Sequence, residues 1–207
     1  MKQNLLIILL GLFLLSVVVC PAKADFVDFE SISLIEGDLI TNQIPGLTFS
    51  NAIIAKTGDT EIAFMPNDTL SDDSFGEYFI TDPVVNGDIG IPDTIHLSFE
   101  TPVFNLSFQV ADLDGSETFT AKAYDLMDNL QETITKNAGE PDTGDAIATL
   151  ISFNYNSISR ITMYTSIPSG GVGWGVDNFS YSVPIPSTCL LLLSGFIGIV
   201  GIKREFI

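Results

Sequence analysis

Residues 94–110 read TIHLSFETPVFNLSFQV. Ile95, Leu97 and Phe99 alternate with Thr94, His96, Ser98 and Glu100. After the break at Pro102, Phe104, Leu106, Phe108 and Val110 alternate with Asn105, Ser107 and Gln109. Strict period two with one apolar face is the mark of a strand that buries one side, so this stretch predicts two successive strands. The same alternation recurs outward in both directions. Phe119, Ala121 and Ala123 face away from Thr118, Thr120, Lys122 and Tyr124. Further strands are expected over Asp25–Glu30, Gly46–Ala55, Glu61–Met65, Gly76–Thr81, Leu130–Lys136, Ala146–Asn154, Ser157–Ser166 and Gly173–Ser182.

Turn-forming clusters separate these runs, among them Glu36-Gly37-Asp38, Thr57-Gly58-Asp59, Asn86-Gly87-Asp88, Asp112–Gly115, Asp128-Asn129, Gly139–Gly144 and Ser169–Gly173. Asp68–Asp93 is the loop-rich part, and no helix is predicted. Many short strands at regular spacing indicate an all-β protein, a two-sheet antiparallel sandwich of jelly-roll type. In such sandwiches the first and last strands are often neighbours. That register would bring Glu30 to Asp177.

The two ends read differently from the middle. Lys2, the apolar run Leu5–Val19 and the small residues of Ala22-Lys23-Ala24 form an export signal cut by signal peptidase after Ala24. A lipoprotein signal at Cys20 and an uncleaved membrane helix are the alternatives. At the other end, Thr188–Ile202 carries no charge and is followed by Lys203 and Arg204. As a helix it would span about 22 Å, short of a bilayer core of about 30 Å. The basic end is expected on the cytoplasmic side of the inner membrane. The chain therefore divides into a signal peptide (1–24), a β-sandwich domain (25–182) and a tail (183–207) with a short transmembrane segment (188–202).

Residues 25–183 hold four basic side chains (Lys56, Lys122, Lys136 and Arg160) against twenty-five acidic ones, a formal charge of −21. A surface of this sign repels nucleic acid and anionic lipid, and excludes both as partners. Both cysteines, Cys20 and Cys189, lie in the apolar ends, so the domain has no disulfide, thiol nucleophile or cysteine metal site. His96 is the only histidine. It cannot build a three-histidine zinc centre, and no Gly-x-Ser-x-Gly elbow is present for a serine hydrolase.

Three constellations could carry function. Asp112-Leu113-Asp114-Gly115, with Glu117 beyond, offers oxygen ligands for Ca²⁺, although the rest of a twelve-residue calcium loop is missing and a plain Asp-Gly turn between Val110 and Phe119 is the more common use of such residues. Glu30 and Asp177 form a second candidate Ca²⁺ site, because two acids at adjacent strand ends repel unless a cation bridges them. Trp174, the only tryptophan, sits among Gly170, Gly171, Gly173 and Gly175. It either closes the end of the core or stacks on a sugar ring.

The tail Val183-Pro184-Ile185-Pro186-Ser187, the apolar run and Lys203-Arg204 together resemble a PEP-CTERM sorting signal. The resemblance covers about the last 25 residues and implies processing by an exosortase, a membrane protease-transpeptidase. Ile185 stands where the most familiar form of the motif has Glu, which leaves the exosortase subtype open. The body resembles the same group through Val27-Asp28-Phe29-Glu30, Gly46–Asn51 and Gly175-Val176-Asp177-Asn178-Phe179. The last segment is also similar to the closing strand of galactose-binding-like and carbohydrate-binding jelly-rolls. In some of those, acids of the first and last strands hold Ca²⁺, which carries over to Glu30 and Asp177. The resemblance implies a cell-surface or extracellular-matrix protein, structural or carbohydrate-binding, with extracellular polysaccharide as its partner. A polysaccharide hydrolase or lyase using paired carboxylates, and a membrane-anchored domain whose tail is never cut, are the competing expectations.

Overall fold

The computed structural model describes residues 23–56, 76–82, 94–113, 115–144, 147–166 and 174–184. Glu61–Met65, Asp114 and the turns at 57–59, 86–88 and 169–173 lie outside these residues. So do residues 1–22 of the expected signal peptide, and the expected tail from Ile185 onward with Pro186, Ser187, the 188–202 segment, Lys203 and Arg204. The chain divides into Ala24–Val183 and a second unit formed by Met1–Lys23 with Pro184–Ile207, of which only Lys23 and Pro184 are described.

Ala24–Val183 is all-β, and every strand pairing whose sense is resolved is antiparallel. The strands are β1 (Lys23–Val27), β2 (Leu47–Ser50), β3 (Ile53–Lys56), β4 (Tyr78–Thr81) and β5 (Ile95–Ala111). They continue as β6 (Thr118–Tyr124), β7 (Leu130–Asn137), β8 (Ala148–Ser152), β9 (Ile158–Ser166) and β10 (Gly175–Val183). One layer runs β3-β4-β10-β5-β8, with β1 also on β10. The other runs β2-β5-β9-β6-β7.

β5 belongs to both layers. Leu97 and its neighbours pair with β2 and β9, whereas Ser107–Ala111 pair with β8 and, in part, β10. The two strands expected at 94–100 and 104–110 are thus one strand of 17 residues. Pro102 supplies no N–H to a ladder, and the β5–β9 register shifts between Ser98 and Val103. The strand runs on past the proline: Val103 still pairs with β9, and from Phe104 the pairing passes to β10 of the other sheet. Conversely, the single strand expected at Gly46–Ala55 is two, because Asn51 takes φ 55° and turns the chain.

Two further asparagines with positive φ sit inside strands: Asn105 (φ 54°) and Asn178 (φ 56°). Each coincides with a register shift in the β5–β10 ladder. Asp177 pairs with Gln109 but Ser180 with Ser107, so β10 has one extra residue; Ser182 pairs with Phe104, so β5 has the next. These are β-bulges, and asparagine tolerates the left-handed conformation they need better than most side chains do. Each bulge changes which residues face inward. Val176 and Phe179 are three apart yet both fully buried, and so are Val103 and Leu106. Phe104, expected inside, is displaced to a half-buried position and Val103 takes the core place.

The core between the layers is bridged by aromatic rings. Phe179 of β10 lies 6.3 Å from Phe49 of β2 and 5.1 Å from Phe108 of β5. Phe108 lies 6.2 Å from Phe119 of β6, and Phe119 lies 5.6 Å from Trp174. These centroid separations are those of favourable offset and edge contacts.

The Asn105 bulge can be tested directly. Asn105→Val places a β-branched side chain at positive φ on an exposed site and should cost about 1–2 kcal/mol in urea unfolding. Asn105→Gly should lie within about 0.5 kcal/mol of the parent.

Candidate functional site

Asp177 follows Val176 in β10 and so points away from the core, yet it is 0% exposed. The chain around Gly76, just before β4, covers it. The Gly76 N–H donates to Asp177 Oδ2 at 3.1 Å. Asp177 Oδ1 is buried and has no hydrogen-bond partner among the described residues. Glu30 lies three residues beyond the end of β1, which stops at Val27 rather than at Glu30 itself. Its Oε1 accepts the Tyr78 N–H at 2.7 Å. The two carboxylates converge on one glycine: a Cβ at position 76 would collide with Glu30 Oε1 and stand 3.3 Å from Asp177 Oδ2. The sandwich thus brings the first-strand and last-strand acids together, with the β4 entry between them.

Burial pushes the Asp177 carboxyl up to about 7; the nearby negative charges of Glu30 and Asp28 add to this, and the backbone N–H groups of Asn178 and Gly76 oppose it. A buried carboxylate oxygen without a donor, a second carboxylate beside it and a glycine kept clear of side-chain bulk suit a hard cation with oxygen ligands. Among the described residues no group of three or more His, Cys, Asp or Glu side chains gathers, so such an ion would take only two carboxylates here and the rest of its shell from carbonyls or water.

The other sequence candidates are placed elsewhere. Asp112 follows β5 with φ 65°, and Gly115 has φ 59°, forming the turn expected there. Asp112 (2% exposed) and Glu117 (1% exposed) are buried, while Asp114 lies outside the described residues. Trp174 is 2% exposed. Its indole packs on Phe119, its N–H donates to the buried Asp82 at 3.3 Å, and its carbonyl accepts the Thr81 hydroxyl at 2.7 Å. This corrects the sugar-stacking reading: a tryptophan inside the core has no ring face to offer. Val183 ends β10 and Pro184 follows it.

A second region emerges only from the strand pairing. On the outer face of the β2-β5-β9-β6-β7 sheet, one row runs Ser50, His96, Thr162, Lys122, Thr133. The adjacent row runs Thr48, Ser98, Arg160, Tyr124, Leu130. Tyr164 pairs with Thr120 in the row on the other side. The inward-facing partners, Leu97, Ala121, Ala123, Ile161 and Met163, are all fully buried.

Each tyrosine carries a cation. The Lys122 ammonium lies 5.4 Å from the Tyr164 ring centre, and the Arg160 guanidinium 3.9 Å from that of Tyr124. Arg160 also pairs with Asp128 in the β6–β7 hairpin. Asp125 braces that hairpin by accepting the N–H groups of Met127 and Asn129, both at 2.9 Å, and the Gln131 amide at 2.7 Å. Bonds from the Asn129 side chain and backbone, then from Met127 and Gln131, hold the Asp125 carboxyl below its usual range. On β5, partial burial and the nearby Arg160 charge lower the pKa of His96.

Neither a protein-family model nor a curated protein matches the chain in sequence. Solved structures do match in fold. The K2 cleaved adhesin domain of Lys-gingipain aligns over 77% of this chain and 99% of its own, at TM-score 0.50 and 11% identity. A family 29 carbohydrate-binding module aligns over 79% and 90% at TM-score 0.40 and 12% identity. A xylan-binding domain from Paenibacillus barcinonensis aligns over 80% and 97% at TM-score 0.38 and 14% identity. At these identities the likeness is one of fold: an antiparallel β-sandwich.

The buried Asp177 sets a pH expectation. A carboxyl with a pKa near 4 when unfolded and about 7 when folded keeps its proton longer in the folded state. Its contribution is fully present below about pH 4 and is lost as pH rises through 7. In EDTA the melting temperature should therefore fall between pH 5 and pH 8, and Asp177→Asn should flatten that slope relative to the parent.

Proposed function

We propose that the chain is an exported surface or extracellular-matrix protein whose sandwich binds carbohydrate. Binding is assigned to the outer face of the β2-β5-β9-β6-β7 sheet. The observation that carries this reading is the composition of that face: two tyrosine rings, Tyr124 and Tyr164, set among hydroxyl and amine donors on a rigid, hydrogen-bonded platform. Sugar rings present apolar C–H faces to aromatic rings and hydroxyls to Ser, Thr and Lys, so a face mixing both is suited to them. An adhesin domain of the same fold is a precedent for a binding role. Asp112, Glu117 and Asp177 are each buried, so these three acids are not presented to a groove as a hydrolytic pair would be.

In this reading Ca²⁺ is structural. Asp177 and Glu30 would hold it, tying β10 to the β4 entry, and it would supply the positive charge that the ionised Asp177 lacks. The tail, with Val183, Pro184, Ile185, Pro186 and Ser187 as sorting motif and Lys203 and Arg204 as its basic end, is assigned to an exosortase. The inner membrane is then only a transient anchor.

A glycan array and a pull-down with native exopolysaccharide test the binding. Retention is expected, with Tyr164→Ala weakening it at least about fivefold, or about 1 kcal/mol, at unchanged melting temperature. No retention in either format counts against the reading. At pH 8, millimolar Ca²⁺ should raise the melting temperature of the parent and not of Asp177→Ala. Intact mass of the surface protein should end near Val183–Ser187; a mass retaining residues to Ile207 would mean that the tail stays in place.

A further inference from the structure

The four basic residues of the domain are not equivalent. Lys56 pairs with Glu77 at 2.7 Å, Lys136 with Glu140 at 4.0 Å, and Arg160 with Asp128. Among the described residues Lys122 has no carboxylate within ion-pair distance. Many acids lie among those residues, so a flexible lysine has many chances to find one. Lys122 stands instead in the middle of its sheet. Thr162 and Thr133 flank it across the strands, Thr120 and Tyr124 along its own, and its ammonium lies over Tyr164. His96 lies one strand further along the same row and Arg160 in the next row. Among the described residues, Lys122 is thus a cation without a carboxylate partner, on a polar sheet face where Thr120 and Thr162 beside it are buried.

Building on the carbohydrate-binding reading, we infer that this face selects a carboxylated sugar, a uronate unit whose carboxylate accepts from the Lys122 ammonium while the rings of Tyr164 and Tyr124 bear on the sugars beside it. A charge-assisted bond of this kind is roughly twice as strong as a neutral one and rejects a ligand that leaves the cation unpaired.

The surrounding acids limit the charge density that fits. Glu100 follows Ser98 on the same strand and is exposed, and Asp125 and Asp128 stand at the hairpin end. Charges more than about 10 Å apart are largely screened at 0.1 M salt. A single carboxylate at Lys122 is therefore attracted, whereas a chain with a carboxylate on every unit would press its next charges against these acids. The ligand class is a largely neutral polysaccharide bearing spaced uronates.

The test uses glucuronoxylan, which carries spaced uronates, and the same sample after chemical reduction of its carboxyl groups, with alginate as the densely charged comparison. Titration of the 25–183 domain expressed with its natural tail should show at least about tenfold tighter binding to glucuronoxylan than to its reduced form. That difference should shrink between 50 and 500 mM NaCl. Lys122→Gln should bring native and reduced glucuronoxylan to equal affinity at unchanged melting temperature. Lys122→Arg should restore the preference, and Lys56→Gln should have no effect. Alginate should bind more weakly than glucuronoxylan. Equal binding of native and reduced xylan, or a preference that survives in Lys122→Gln, overturns this inference and leaves the carbohydrate-binding face standing. Tighter binding of alginate overturns the spacing argument. No binding of any of the three, together with an empty glycan array, overturns both readings.

Discussion

The ladder between β5 and β10 is the constraint on which the rest of the molecule depends. Both strands contain an asparagine bulge, and the two bulges are offset by a few residues along the same ladder. Without the extra residue at Asn178, Val176 and Phe179 would fall on opposite faces of the sheet. With it, both reach the core, and Phe179 becomes the ring that joins Phe49 of one layer to Phe108 of the other. The parity that sends Val176 inward sends Asp177 outward. The position of the buried carboxylate is thus a by-product of how the core is filled.

That carboxylate is the costly feature of the fold. Burying an acid away from water with only part of its hydrogen-bonding capacity met is unfavourable, and the adjacent Glu30 and Asp28 make ionisation harder still. Gly76 is the residue that permits the arrangement, since any side chain there would occupy the space into which Glu30 reaches. Stability and acidity are coupled at this point: the carboxyl whose ionisation burial disfavours is also the acceptor of the Gly76 N–H that ties the β4 entry to β10.

Most of the strand content was legible because period two is a direct image of a half-buried sheet. The Phe119–Ala123 and Ile158–Ser166 alternations translate into β6 and β9 with little change. What was not legible were the places where the backbone departs from period two. A proline in 94–110 reads as a strand break, and only the pairing shows that the strand continues past it into the second sheet. An Asn inside a strand does not announce a bulge, so Phe104 looked like core and Val103 did not. That Glu30 and Asp177 lie near each other was legible because one follows the first strand and the other belongs to the last, and pairing of these strands follows from the fold type. Gly76 was not, since nothing local marks a glycine as the point on which two distant acids meet. The Lys122, Tyr124, Arg160 and Tyr164 face was present in the alternation as the polar side of two strands. Its significance depends on those strands being neighbours, which is a fact of topology.

The pairing of β10 with β1, β4 and β5 has a bearing on how the chain is made. Phe29, Ile54 and Ile80 belong to the first half of the sequence, but the strand on which their layer is centred is the last to be synthesised. Contacts of such long sequence separation form slowly and only once both partners exist. A nascent chain halted before residue 175 has its other strands and no middle for its first sheet, with the apolar sides of β3 and β4 uncovered. The β3-β4-β10-β5-β8 layer can therefore close only once residues 175–183 have been made.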